Sequence, residues 1–215
     1  MWPAENKYRA IYRAISCSDI QSELRLNFKV QRRPFAIFEK IVRRFQRDAA
    51  YERICGLWRG FEGQKGTTGG IREELITAKA NNQTTDRFKE IQEKARLIDI
   101  HSRFLYRGVS PSYEYGEVED LTATSLSVEM ALKYGDRPFM VIYVPDGKVY
   151  GLPIYCSEND AEHFGTNRDV EILLIKPNLT ELDAGTDNIK DIKDMLEGPT
   201  RIKQLKIYEY HQGHN

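Results

Sequence analysis

Three short clusters in the second half of the chain carry side chains that can do chemistry together. Arg107 ends the apolar stretch Phe104-Leu105-Tyr106 and is followed by Gly108. Thr122-Ala123-Thr124-Ser125 presents hydroxyls just ahead of a short helical pattern. Asp169-Val170-Glu171 opens the apolar run Ile172-Leu173-Leu174-Ile175. An arginine fork binds phosphate oxygens two at a time. A fixed carboxylate stabilises positive charge that develops as a bond breaks. A neighbouring hydroxyl can hold such a carboxylate in one rotamer. Taken singly, each cluster has an ordinary alternative. A strand-terminal arginine suits any surface, Ser125 or Ser127 suits a helix N-cap, and two acids before a strand suit a solvated edge.

The elements that must position these residues follow from pattern. Phe35, Phe38, Ile41, Val42, Phe45 and Ala49 recur at three and four spacing behind Pro34, which predicts one amphipathic helix with Arg43, Arg44 and Arg47 on its outer face. Gly56, Gly60, Gly63, Gly66, Gly69 and Gly70 follow. No Gly-Lys-Ser/Thr completes a phosphate-binding loop, so residues 56–70 read as a flexible connector. A second helical stretch spans about Ile71 to Ile98, interrupted near Asn81-Asn82-Gln83. Strands are predicted at Phe104–Tyr106, Thr122–Leu126, Phe139–Val144, Val149–Tyr155 (broken by glycine and proline), Val170–Ile175 and Ile202–Tyr210, with a helix at Val128–Tyr134. Helices first and strands after argue for an α+β fold. Residues 1–99 read as a helical extension and 100–215 as a strand-rich core that holds the three clusters, together one compact unit.

The chain has 215 residues and no net charge, yet Leu24–Arg59 holds ten Lys and Arg against three Asp and Glu. That asymmetry suits either a solvated helix face or an anionic partner. Cys17, Cys55 and Cys156 are odd in number and far apart, and His101, His163, His211 and His214 have no partner at zinc spacing. No metal and no disulfide framework is expected. No apolar run reaches the roughly 18 residues of a membrane helix, and the N-terminus does not read as a secretory signal. The expected location is cytoplasmic, including the cytoplasm of another cell after delivery.

The order of the three clusters resembles the mono-ADP-ribosyltransferase superfamily, in the branch with an Arg, Ser/Thr, Glu signature. Leu105-Tyr106-Arg107-Gly108 matches its first strand. Ala123-Thr124-Ser125-Leu126 with the helix after it matches the second, and Asp169-Val170-Glu171 with Ile172-Leu173-Leu174-Ile175 matches the third. Tyr134-Gly135-Asp136-Arg137-Pro138 is similar to a segment of the clostridial C3-like members, a type found among phage enzymes and bacterial toxins. The resemblance implies N-terminal helices packed on a two-sheet, mainly antiparallel, β-sandwich-like core with an NAD cleft.

It also implies roles. NAD is the co-substrate. Arg107 anchors its pyrophosphate, and Gly108 lets the backbone approach the nicotinamide amide. Tyr134 faces the nicotinamide and Arg137 helps hold the dinucleotide. Glu171 is the catalytic carboxylate, steadied by Thr124 and Ser125. Ala123 occupies the family's first hydroxyl position, so Thr122 is an alternative support. Asp169 orients or deprotonates the acceptor. The expected activity is transfer of ADP-ribose to a macromolecule, most naturally a protein side chain such as arginine. The alternatives are transfer to RNA or DNA, NAD hydrolysis, and a binding module of the same fold. A cognate antitoxin or inhibitor is a further expected partner, and a membrane is not.

Overall fold

Pro34 opens the first helix, α1 (Pro34–Val42), where its missing amide proton would have had no partner. The structure is a computed structural model that describes residues 34–45, 47–63, 78, 81, 83–109, 120–155, 170–183, 190, 192, 193, 196 and 202–212. Phe38 and Val42 of α1 are buried, while Lys40 and Arg43 point to solvent.

The phenylalanine spacing predicted one helix through Ala49, but the chain turns at Arg43–Phe45 and starts again as α2 (Ala49–Gly63). The physical reason is Asp48. Its Oδ1 accepts the amides of Ala50 at 3.0 Å and Tyr51 at 3.1 Å, and so caps a new helix. Its Oδ2 takes the Lys94 ammonium at 2.5 Å.

Helix α2 also corrects the reading of residues 56–70 as a connector, because Gly56, Gly60 and Gly63 are helical. Each interior glycine costs about 1 kcal/mol relative to alanine. Tyr51, Ile54, Cys55 and Trp58 fall on one face at helical spacing and are all buried, and their packing overrides that cost. Residues 64–70 lie outside the described part.

Helix α3 (Asp86–Arg96) is capped by Thr85, whose hydroxyl accepts the Phe88 amide at 3.1 Å, and it buries Phe88, Ile91 and Ala95. Most of the helical stretch predicted before it lies outside the described residues. Helix α4 (Val128–Tyr134) spans the predicted range with Ser127 as its N-cap.

The strands are β1 (Ile100–His101), β2 (Phe104–Gly108), β3 (Leu121–Ser125), β4 (Phe139–Tyr143), β5 (Lys148–Val149), β6 (Gly151–Pro153), β7 (Glu171–Ile175), β8 (Asn178–Leu182) and β9 (Leu205–His211). β1 and β5 form a small pair, and the others form a seven-stranded sheet in the order β6-β7-β3-β2-β4-β9-β8. Only β4 and β9 run parallel; the other pairings are antiparallel. The α+β class therefore holds, and the larger sheet is mainly antiparallel with a narrow joint near its middle. β2 matches β4 over five residue pairs and β3 matches β7 over five, yet β2 and β3 share the single pair Tyr106–Ser125.

Two apolar clusters flank this sheet. One joins α1, α2 and α3 to β6, β7 and β3 through residues such as Phe38, Tyr51, Trp58, Phe88, Leu152 and Leu173. The other packs α4 and the helical residues Ile192 and Leu196 against Phe104, Tyr106, Val141 and Ile207. No helix among the described residues is long and apolar enough to cross a membrane.

Candidate functional site

The joint between β2 and β3 is where the sequence clusters meet. Tyr106 stands opposite Ser125, and Ser125 stands opposite Glu171. Directly opposed residues share a face, so Tyr106, Ser125 and Glu171 form a row across three strands. Arg107 is the next residue past that row. In an unbroken ladder, alternation would send it to the face opposite Glu171. Here the strands part, and the half-buried Arg107 reaches across the gap, its Nη1 donating to the Ala123 carbonyl at 2.8 Å.

Glu171 is fixed through both backbone and side chain. Its carbonyl accepts the Ile154 amide at 3.0 Å. Its half-buried carboxylate accepts the indole N–H of Trp58, Nε1 to Oε1, at 2.8 Å. Trp58 itself is 5% exposed. Val170, just before Glu171, has φ 44° and is wholly buried. A β-branched residue pays about 1–2 kcal/mol in the left-handed region. Its buried side chain and a 3.2 Å bond from the Leu126 amide to its carbonyl hold it there. Backbone strain of this kind concentrates at functional positions.

The hydroxyls divide their tasks. Thr124 is buried and its Oγ1 donates to the Ile172 carbonyl at 2.7 Å, which ties β3 to the residue after Glu171. Ser125 is opposite Glu171, and its Oγ accepts the Ser127 amide at 3.0 Å, which sets the entry to α4. Thr122 is opposite Leu174, three residues or about 10 Å along the strand from Ser125. Of the three, Ser125 has the register to serve Glu171.

Gly108 is required by packing. A Cβ there would sit 2.1 Å from the Ala131 carbonyl oxygen and 2.4 Å from that of Gly135. The end of α4 fills the space where a side chain would stand. The same contact brings the segment after α4 to the end of β2. The Arg137 amide donates to the Val109 carbonyl at 3.3 Å, and the Val109 amide to that of Pro138 at 3.0 Å. Tyr134 is 52% exposed and Arg137 is exposed. Tyr106, at one end of the row, is buried against Phe139, and burial pushes its phenol well above the usual range. Asp169 lies outside the described residues. Among the described residues, no group of three or more His, Cys, Asp or Glu could hold a metal.

Two residues at the site escaped the sequence reading. Trp58 had a signal, its helical spacing behind Tyr51, Ile54 and Cys55, obscured by the glycines around it. For the backbone of Val170 there was none.

No family model matches the chain, and no curated protein matches it either. Among solved structures it is similar to exoenzyme S from Pseudomonas aeruginosa, in complex with human 14-3-3 protein beta and bound to carba-NAD. The two are 14% identical with a TM-score of 0.43, covering 85% of this chain and 93% of that one. It is also similar to the catalytic domain of VsdC from Aeromonas hydrophila, at 12% identity and a TM-score of 0.33, covering 81% of this chain and 100% of that one.

Proposed function

We propose that this protein cleaves the bond between nicotinamide and ribose in NAD and transfers the ADP-ribose to a macromolecular acceptor. The observation that carries the reading is the row of Ser125 and Glu171 on β3 and β7, with the Arg107 guanidinium turned into the adjoining joint. The sequence resemblance to mono-ADP-ribosyltransferases of the Arg, Ser/Thr, Glu type rests on the same residues.

The chemistry needs these groups in these roles. As the glycosidic bond breaks, its electron pair leaves with nicotinamide and the ribose becomes cationic. The Glu171 carboxylate stabilises that charge more in the transition state than in the ground state. Arg107 grips the pyrophosphate. Ser125 supports the Glu171 side of the row. Tyr134 and Arg137, exposed at the end of α4, take the nicotinamide face and the phosphates. The acceptor then forms a bond to the anomeric carbon and gives up a proton, for which Asp169 is the proposed base.

A protein side chain, arginine above all, is the preferred acceptor. A nucleic acid is the second reading, and a specific observation favours it. Lys40, Arg43, Arg44 and Arg47 are all exposed where α1 gives way to α2, and such a ridge can follow a phosphate backbone. Hydrolysis of NAD uses the same residues with water as the acceptor. The cytoplasm, which holds both NAD and such acceptors, is the proposed place of action.

The test is incubation with labelled NAD and a cell lysate, followed by protease or nuclease digestion. Label lost to protease identifies a protein acceptor, label lost to nuclease identifies RNA or DNA, and free ADP-ribose alone identifies a hydrolase. Glu171→Gln is expected to lower kcat at least about 100-fold while NAD still binds, and Arg107→Ala to raise the KM for NAD. Unchanged nicotinamide release by Glu171→Gln would refute the reading.

A further inference from the structure

We infer that Trp58 is a positioning residue for Glu171, so that a helix from the N-terminal part of the chain completes the site. The inference rests on the proposed NAD chemistry and deepens it. Neither the sequence clusters nor the resemblance assigns Trp58 a part.

The geometry ties the indole to the carboxylate through a rigid frame. Nε1 donates to Oε1 of Glu171 at 2.8 Å. Indole nitrogen is a donor and never an acceptor, so the contact fixes which partner supplies the proton. A bond from N–H to a carboxylate is stronger than one between neutral groups. Helix α2 cannot slide freely, because two more side chains on the same face bind the chain next to β7. The Tyr51 hydroxyl donates to the Pro153 carbonyl at 2.5 Å, and Cys55 Sγ accepts the Tyr155 amide at 3.4 Å. Pro153 is paired with Ile172, the residue after Glu171. Tyr51, Cys55 and Trp58 thus index α2 against the strand that carries the carboxylate.

The frame matters because a reacting carboxylate must sit within a fraction of an ångström of its productive place. Glu171 has three rotatable side-chain bonds, and its strand fixes only the first atom. The indole anchors the far end.

The test uses the full chain in three forms: wild type, Trp58→Phe, and Trp58 replaced by 3-benzothienylalanine, which keeps the two-ring shape but lacks the N–H. Thermal unfolding checks that each variant folds. Both variants are expected to lower kcat for nicotinamide release about 10–100-fold, with the KM for NAD within about two-fold of wild type. Wild-type kcat in the benzothienylalanine form would confine Trp58 to a packing role and overturn the inference.

A second readout needs no activity. The emission of Trp58, isolated by subtracting the Trp58→Phe spectrum, is expected to shift in Glu171→Ala. An unshifted emission would overturn the contact itself. A shift in Glu171→Ala, together with a wild-type protein that leaves NAD intact, would support the contact and overturn the proposed function.

Discussion

Replacing Val170 by alanine and by glycine separates a strained backbone from an ordinary one. The two substitutions differ by one buried methyl, worth about 0.8 kcal/mol in favour of alanine. Glycine loses about 0.4–1 kcal/mol more than alanine through the freedom of its unfolded chain. At φ 44°, alanine bears about 1–2 kcal/mol that glycine does not. These terms offset, so Val170→Gly and Val170→Ala are expected to be equally stable to within about 1 kcal/mol. At an ordinary strand position alanine would instead lead by about 1–2 kcal/mol. Urea titration separates the two cases, provided the slopes of the two variants agree. Thermal midpoints should follow, at about 2–4 °C for each kcal/mol in a chain of this size. A lead of about 1.5 kcal/mol or more for Val170→Ala would refute the strain and with it the idea that the turn before Glu171 is held by force.

Three other outcomes follow from the packing. Gly108→Ala places a methyl 2.1 Å from a backbone oxygen and is expected to cost at least about 3 kcal/mol, or to leave no soluble protein; urea unfolding reads this directly. Gly56→Ala is expected to stabilise by about 0.5–1 kcal/mol, because the added Cβ in this helix interior meets nothing within 4 Å. Asp48 supplies the pH dependence. The hydrogen bond from Lys94 first, and the Tyr51 amide second, hold its carboxyl below the usual aspartate range. A lowered folded value means that the stabilisation is complete above the unfolded pKa and is lost as the pH falls through the folded one. Asp48→Asn is therefore expected to be less stable than wild type near neutrality, and the gap should close as the pH falls through the lowered folded value, measured by denaturant unfolding across pH.

The strands and helix nearest the site were legible because local pattern and tertiary role agree there. Phe104–Tyr106, Phe139–Val144 and Val170–Ile175 are apolar and β-branched or aromatic, and they form β2, β4 and β7, buried on both faces. Val128–Tyr134 has a serine cap and a helical stripe, and it forms α4. The glycines of α2 were misread because their local preference opposes the helix that distant contacts impose. β8 was not anticipated at all. Asn178-Leu179-Thr180-Glu181-Leu182 is polar and mostly exposed, and it is a strand because β9 offers it a ladder at the sheet's edge. The hydroxyl cluster was legible as a cluster, but not which of its members stands opposite Glu171. That depends on register, and a shift of one position along β3 would exchange Ser125 for Thr124.

The lone Tyr106–Ser125 pair has a mechanical corollary. Inside each half of the sheet, many cross-strand bonds must break together before anything moves; between the halves, the ladder has this one rung and the Arg107 bond to the Ala123 carbonyl beside it. A molecule gripped by Arg107 on one bank and Glu171 on the other would act as a suture across that rung. Its binding energy would then go into stiffening the crossing and leave the interiors on either side as they were. Slowed amide exchange should accordingly gather at Tyr106, Ser125 and Leu126 when such a molecule is added, and fade within a strand or two on both sides.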